Sequence, residues 1–321
     1  MKTCVFSFAR VYENSMVASQ RIALMVAAEL DVPVTSDHNV SEQLARELDV
    51  LVIVNGAYGF CKCLPELGVL SRKAGRIVWV QNDYTIIPPK PDSNATSPFR
   101  AAFRERDQAG LPRMDYWTTC EEESKATARS HYVNWNALTF RGDVRVKKTV
   151  EKDLFYYGSY REFRVKYFDR FFSRPGGPVT ISSPVNKATS RNKFRERYAD
   201  GSVTHVDKMA DVYEELGRHG LGLYLEDRKS HSKFHSPANR FYEMLSAGLP
   251  MVFQQECGSM MRKAGYDPQP YTVSGWLDVK RRMSDRNAVL RLQRDSWLEK
   301  AAKDHDSVVP SLKAAIKKLR G

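Results

Sequence analysis

The sequence predicts an α/β protein made of two Rossmann-like domains, residues 1–150 and 151–321, closed by terminal helices. Three features predict it. Apolar runs at Asp49–Asn55 and Arg76–Asp83 flank a helical stretch at Leu64–Ala74, the strand–helix–strand pattern of a parallel sheet. The pattern restarts at Leu154-Phe-Tyr-Tyr-Gly-Ser-Tyr-Arg161, where a strand runs into a glycine turn. Finally, His235–Phe253 reads as a proline-started helix stopped by Gly248 and followed by a short apolar strand.

In chain order, Lys2–Phe8 is a short apolar strand, and Val17–Leu30 shows helical spacing through Ile22, Met25, Val26 and Leu30. No G-x-G-x-x-G follows the first strand, so a classical dinucleotide site is not supported. After Asp83 the pattern dissolves into a Pro- and Ser-rich loop, Pro88–Arg113, which carries Arg100, Arg104 and Arg106. Asp115–Thr119 reads as a strand, Glu121–Ser130 as a helix, and Val144–Glu151 as the link out of the first domain. In the second half, Arg164–Phe172 is helical, and strands at Val179–Ser182 and Gly222–Glu226 are separated by a helix at Met209–Gly217. Gly275–Leu319 is helical and rich in Lys and Arg.

At 321 residues the chain is long enough for two domains, each with its own core. Its net charge of +12 is uneven. Residues 1–150 hold 19 Lys and Arg against 17 Asp and Glu, and residues 151–321 hold 31 against 21, so the halves carry +2 and +10. Such an excess suits a polyanionic partner, nucleic acid being the commonest; a solvated basic surface is the plainer reading. No apolar run is long enough to cross a bilayer and no signal-peptide order opens the chain, so a cytoplasm is expected. Five cysteines, Cys4, Cys61, Cys63, Cys120 and Cys257, form no metal-binding spacing and read as reduced thiols.

Two constellations carry chemistry. Arg240 and Glu243 lie three apart on one helix, a guanidinium suited to phosphate beside a carboxylate suited to ribose hydroxyls. A surface ion pair has the same spacing. The turn after Leu154–Tyr157 can aim Ser159, Arg161 and Arg164 at one anion.

The stretches Asp49–Asn55, Ile77–Asp83, Leu154–Arg164 and Arg240–Phe253, in that order and spacing, resemble the DNA β-glucosyltransferases of T-even bacteriophages. The resemblance implies the glycosyltransferase B architecture, two Rossmann-like domains facing a central cleft with the C-terminal helices packing back toward the first domain. It implies an acceptor (DNA) domain at 1–150 and a nucleotide-sugar domain at 151–321. By the same resemblance Asp83 matches the catalytic aspartate, Ser159, Arg161 and Arg164 the phosphate turn, and Arg240 and Glu243 the pyrophosphate and ribose contacts. Just upstream, where the family has a tyrosine near the donor, this chain offers Ser232, Lys233, Phe234 and His235; for His235 a phosphate or loop residue and a structural histidine both remain open.

The implied reaction moves a sugar, glucose from UDP-glucose, onto the hydroxymethyl group of a modified pyrimidine in double-stranded phage DNA. Asp83 takes the hydroxyl proton, the configuration inverts, and arginines hold the leaving diphosphate, with a divalent metal, Mg or Mn, compatible with it. A monomer in the host cytoplasm is expected. The alternatives are the same fold acting on a small-molecule, lipid or glycan acceptor, and a nucleotide-binding protein without catalysis. Replacing Arg100, Arg104 and Arg106 together by Ala should weaken DNA binding and flatten its salt dependence while leaving nucleotide affinity alone. Binding titrations over a salt series check this, and an unchanged slope removes the loop from the DNA site.

Overall fold

The computed structural model describes residues 3–6, 18–35, 50–55, 76–81, 114–125, 130–144, 147, 150–183, 188–206, 211–226 and 236–318. The chain divides into two compact units: Met1–Glu13, Ala18–Leu138 and Asp306–Gly321 in the first, and Asn14–Val17 with Thr139–His305 in the second. Each contains a six-stranded sheet whose described pairings are all parallel.

The first unit runs β1 (Thr3–Phe6), α1 (Ala18–Leu30), β2 (Val34–Thr35), β3 (Val50–Asn55), β4 (Arg76–Gln81), β5 (Met114–Thr118), α2 (Glu121–Ser124) and β6 (Ser130–Tyr132), with sheet order β2-β1-β3-β4-β5-β6. Val5, Val52, Val54, Val78, Val80 and Trp117 are buried, and α1, which packs on β1 and β3, buries Ile22, Ala23 and Val26. The helix expected over Glu121–Ser130 stops at Ser124, and Ser130–Tyr132 is a sixth strand. The Ser124 hydroxyl turns back on the Glu121 carbonyl at 2.7 Å, a local bond that competes with helix continuation.

The second unit runs β7 (Leu154–Tyr157), a 3₁₀ turn (Glu162–Arg164), α3 (Val165–Phe172), β8 (Val179–Ser182), α4 (Ala188–Arg197), β9 (Val203–Val206), α5 (Val212–Leu216) and β10 (Leu221–Tyr224). It continues through α6 (Asn239–Ala247), β11 (Met251–Gln254), α7 (Gly258–Lys263), β12 (Thr272–Val273), α8 (Trp276–Ser284) and α9 (Arg286–Lys318), whose residues from Asp306 onward group with the first unit. The order β12-β11-β10-β7-β8-β9 is the doubly wound pattern that reverses between the first strand, β7, and the fourth, β10. From Thr139 onward the chain already belongs here. The Thr139 hydroxyl donates to the Asn239 carbonyl at 3.1 Å, Tyr213 donates to the Thr139 carbonyl at 2.6 Å, and the Arg141 N–H donates to Ser246 Oγ at 2.7 Å.

Helix α4 and strand β9 were not anticipated from the sequence. Ala-Thr-Ser-Arg-Asn-Lys-Phe-Arg-Glu-Arg has little apolar periodicity, yet its one phenylalanine, Phe194, is fully buried against Phe168. Helix α3 presents Tyr167, Phe168, Phe171 and Phe172 to that core, and Phe168 packs edge-on to Tyr156 of β7. Such aromatic contacts contribute about 0.5–1.5 kcal/mol each beyond area burial, enough to fix an otherwise polar helix. The helix expected over Met209–Gly217 is Val212–Leu216, begun by Asp211, whose carboxylate accepts from the Tyr213 and Glu214 N–H groups at 2.8 and 2.9 Å.

At the amino ends of β7 and β10, Asp153 is buried and accepts from the Gly220 N–H at 3.0 Å, with His219 Nδ1 at 2.8 Å. Burial pushes its carboxyl pKa up, but hydrogen bonds from His219, Thr180 and the Gly220 N–H outweigh it and hold the group below the ordinary carboxylate range. Because the folded pKa is the lower one, this stabilisation is complete above the unfolded pKa of about 3.9 and fades as pH falls through the folded value. Asp153→Asn should cost about 1.5–3 kcal/mol at pH 7, with the gap from wild type narrowing below about pH 4, measured by urea unfolding at both pH values.

Candidate functional site

The reversal between β7 and β10 brings the carboxyl ends of two neighbouring strands together, the position where open parallel sheets hold ligands. The residues just past these ends are Gly158 and, after Leu225, Glu226. Helix α6 begins nearby, because the Ala238 N–H before it donates to the Tyr224 hydroxyl at 2.9 Å. Burial raises the Tyr224 phenol to about 12, so it stays protonated through the neutral range.

Three charged side chains converge there. Glu226 takes Arg164 on Oε2 and Arg240 on Oε1, so one carboxylate is shared by two guanidinium groups and the cluster keeps one net positive charge. All three are largely withdrawn from solvent, with side chains 10–12% exposed. Arg240 also donates to the Leu225 carbonyl at 3.2 Å and lies over the Tyr224 ring, 5.4 Å from its centroid. Its Nε is buried with no hydrogen-bond partner among the described residues.

Gly158 makes this approach feasible. Its φ of +154° is a conformation that side-chain-bearing residues rarely adopt, and a Cβ there would stand 2.8 Å from the Tyr156 hydroxyl and 3.2 Å from Arg240 Nη1. The backbone of the turn is held from below, with the Gly158 N–H donating to the Ser182 carbonyl at 2.9 Å and the Tyr160 N–H to Ser190 Oγ.

Glu243 faces another set of groups. It is completely buried, the Tyr157 hydroxyl donates to its Oε2, and Asn239 Nδ2 donates to both oxygens at 3.0 and 3.1 Å. The structure thus brings Arg164 and Arg240 together, places Ser159 next in the chain after Gly158, and leaves Arg161 exposed. Asp83, His235, Arg100, Arg104 and Arg106 lie outside the described residues.

Sequence reasoning did not single out Glu226, Tyr157 or Asn239. Glu226 had a usable signal, a carboxylate directly following an apolar strand run, the same feature that marks Asp83. Tyr157 and Asn239 had none, since their role depends on what Glu243 meets across 86 residues of chain.

No family model matches the sequence, and no curated protein matches it. Solved structures do. T4 phage β-glucosyltransferase bound to UDP and Mn²⁺ superposes with a TM-score of 0.69 at 15% identity, covering 98% of this chain and 99% of that one. The fold is that of T4 phage β-glucosyltransferase. The same enzyme with its UDP-glucose substrate gives a TM-score of 0.68 at 15% identity, again over 98% and 99% of the two chains. An α-glucosyltransferase bound to UDP and a 13-mer DNA gives 0.55 at 10% identity over 97% and 94%. The expected architecture of two Rossmann-like sheets is therefore present.

A metal fits the cluster poorly as a protein-built site. Its carboxylate, Glu226, is already engaged by two cations, and the group of described residues with metal-ligand geometry, Glu151, Asp153 and His219, sits at the amino ends of β7 and β10. No helix among the described residues is long and apolar enough to cross a membrane.

Gly158→Ala should cost about 1–3 kcal/mol through backbone strain and the clash with Tyr156 and Arg240. Chemical denaturation checks it. An unshifted midpoint would mean that the turn relaxes and that glycine is not required there.

Proposed function

We propose that this protein is a DNA-modifying glycosyltransferase that moves glucose from UDP-glucose to the hydroxymethyl group of a modified pyrimidine in double-stranded DNA, with inversion. The observation that carries the reading is the pair Arg164 and Arg240 at the strand reversal of the second sheet, within a fold shared over nearly the whole chain with UDP-glucose-binding T4 phage β-glucosyltransferase. A diphosphate leaving group gains negative charge as its bond to the sugar breaks. Guanidinium groups already fixed in a water-poor site stabilise that charge without reorganising.

In this reading residues 151–321 bind the donor and residues 1–150 the acceptor. Arg164 and Arg240 contact the diphosphate, aided by Ser159 and Arg161, while Glu243, held by Tyr157 and Asn239, meets the ribose side. Asp83 takes the proton as the hydroxymethyl oxygen forms its bond to the anomeric carbon. The bond from that carbon to the β-phosphate oxygen breaks with its electron pair, and UDP departs. The net charge of +12 favours DNA over a small acceptor, since phosphate contacts supply position and most of the affinity. The target base would be turned out of the duplex to reach the donor.

The test is a panel of radiolabelled nucleotide sugars against duplexes carrying cytosine, 5-hydroxymethylcytosine, thymine or 5-hydroxymethyluracil. Label should pass from UDP-glucose only to a hydroxymethylated duplex; transfer to a small acceptor but to no duplex would replace DNA as substrate. Asp83→Asn should lower transfer by ~10²–10⁴-fold with donor and DNA affinities near wild type. A normal rate in that variant would remove Asp83 as the base and make His235 the next residue to replace.

A further inference from the structure

The Glu226 carboxylate lies between Arg164 and Arg240. A carboxylate placed between two arginines either organises them for an incoming anion or competes with it. Each of its two oxygens accepts from one guanidinium, Oε2 from Arg164 Nη2 and Oε1 from Arg240 Nη2, single charge-assisted contacts that phosphate oxygens can replace. Each arginine thereby gives one nitrogen, Nη2, to Glu226, while the cluster as a whole remains one positive charge in excess and Arg240 Nε stays buried without a partner among the described residues. A diphosphate carries more charge than a carboxylate and matches two arginines better than Glu226 does. The two anions cannot both keep these contacts, because like charges a few ångströms apart in a site this withdrawn from water repel strongly.

We infer that Glu226 is a stand-in for the diphosphate of the donor: its carboxylate holds Arg164 and Arg240 in place until the diphosphate arrives, and the diphosphate then displaces it. This rests on the donor-site reading and adds a direction to it. Glu226 keeps the two cations close without their mutual repulsion, and it weakens anion binding by the work needed to move it aside. Release of UDP after transfer is assisted by the same carboxylate returning to the arginines. A nucleotide sugar gains further contacts through its base, ribose and sugar, so the competition bears hardest on small anions that offer a phosphate alone.

The experiment measures the affinity of the full-length protein for inorganic pyrophosphate and for UDP by calorimetry, in wild type, Glu226→Asp and Glu226→Gln. Removing the competing charge should tighten pyrophosphate binding at least tenfold in Glu226→Gln, about 1.4 kcal/mol, with a smaller gain for UDP. Glu226→Asp, whose shorter carboxylate grips less well, should fall between the two. The order Gln, Asp, Glu from tightest to weakest supports the inference, and should Glu226→Gln fail to fold, the Asp variant against wild type still decides the order. Equal or weaker binding in the variants, with wild type binding both anions, overturns the stand-in role and leaves Glu226 as a buttress. If wild type binds neither pyrophosphate nor UDP, the donor-site reading fails, and the inference with it.

Discussion

Two guanidinium groups sharing the Glu226 carboxylate set the demands that the rest of the second unit meets. Bringing two like charges within reach of one another in a site with side-chain exposures near one-tenth is unfavourable unless an anion sits between them and the supporting elements are rigid. Each of the three residues comes from a different element. Arg164 closes the 3₁₀ turn after β7, Glu226 follows β10, and Arg240 lies in the first turn of α6. They meet because the strand order puts β10 directly beside β7, so that the segments leaving both strands emerge on the same edge.

Rigidity comes from the far side of α6. Phe241 is fully buried among Tyr224, Phe253, Tyr266 and Trp297, and the last of these belongs to α9. The hydroxyls of Tyr242 and Tyr266 both donate to Asp304 Oδ2, at 3.0 and 2.6 Å, which ties α6 to the same helix. Gln293 of α9 completes the pairing of β11, accepting from the Met251 N–H at 2.9 Å and donating to the Met251 carbonyl at 2.7 Å. Buried backbone groups must be paired, so this glutamine stabilises a strand by taking the place of a ladder partner. The long basic helix is therefore a scaffold for the arginine cluster as well as a source of positive charge.

The chemistry of the site and the charge of the chain point the same way without being the same observation. In the proposed function the cluster serves a diphosphate held by two fixed cations, whereas the net charge of +12 concerns a long-range field toward a polyanion. A protein of this fold that acts on a small acceptor would need the first but not the second. The joint presence of both makes a nucleic-acid acceptor the economical reading.

The sequence by itself determined the fold class. Apolar strand runs alternating with helices, the restart at Leu154 and the Gly248 stop after α6 are local signals, written in hydrophobic period and in residues that suit particular backbone angles; Gly248 takes φ +70° at the end of α6 as its type allows. It also marked Arg164 and Arg240 as anion-binding candidates. Helix α4 has no such signal because a polar segment shows no period, and the contacts of Phe194 with Phe168, Tyr156 and Tyr160 make it a helix of the core. What tertiary structure alone decided was partnership. Arg240 and Glu243 are three residues apart and look like a pair, yet Arg240 is matched to Glu226 and Glu243 to Tyr157 and Asn239. Helical spacing fixes which way two side chains leave a helix; it says nothing of the strand ends they will find. Those ends are set by the order in which strands assemble, a long-range property that no short window of residues contains.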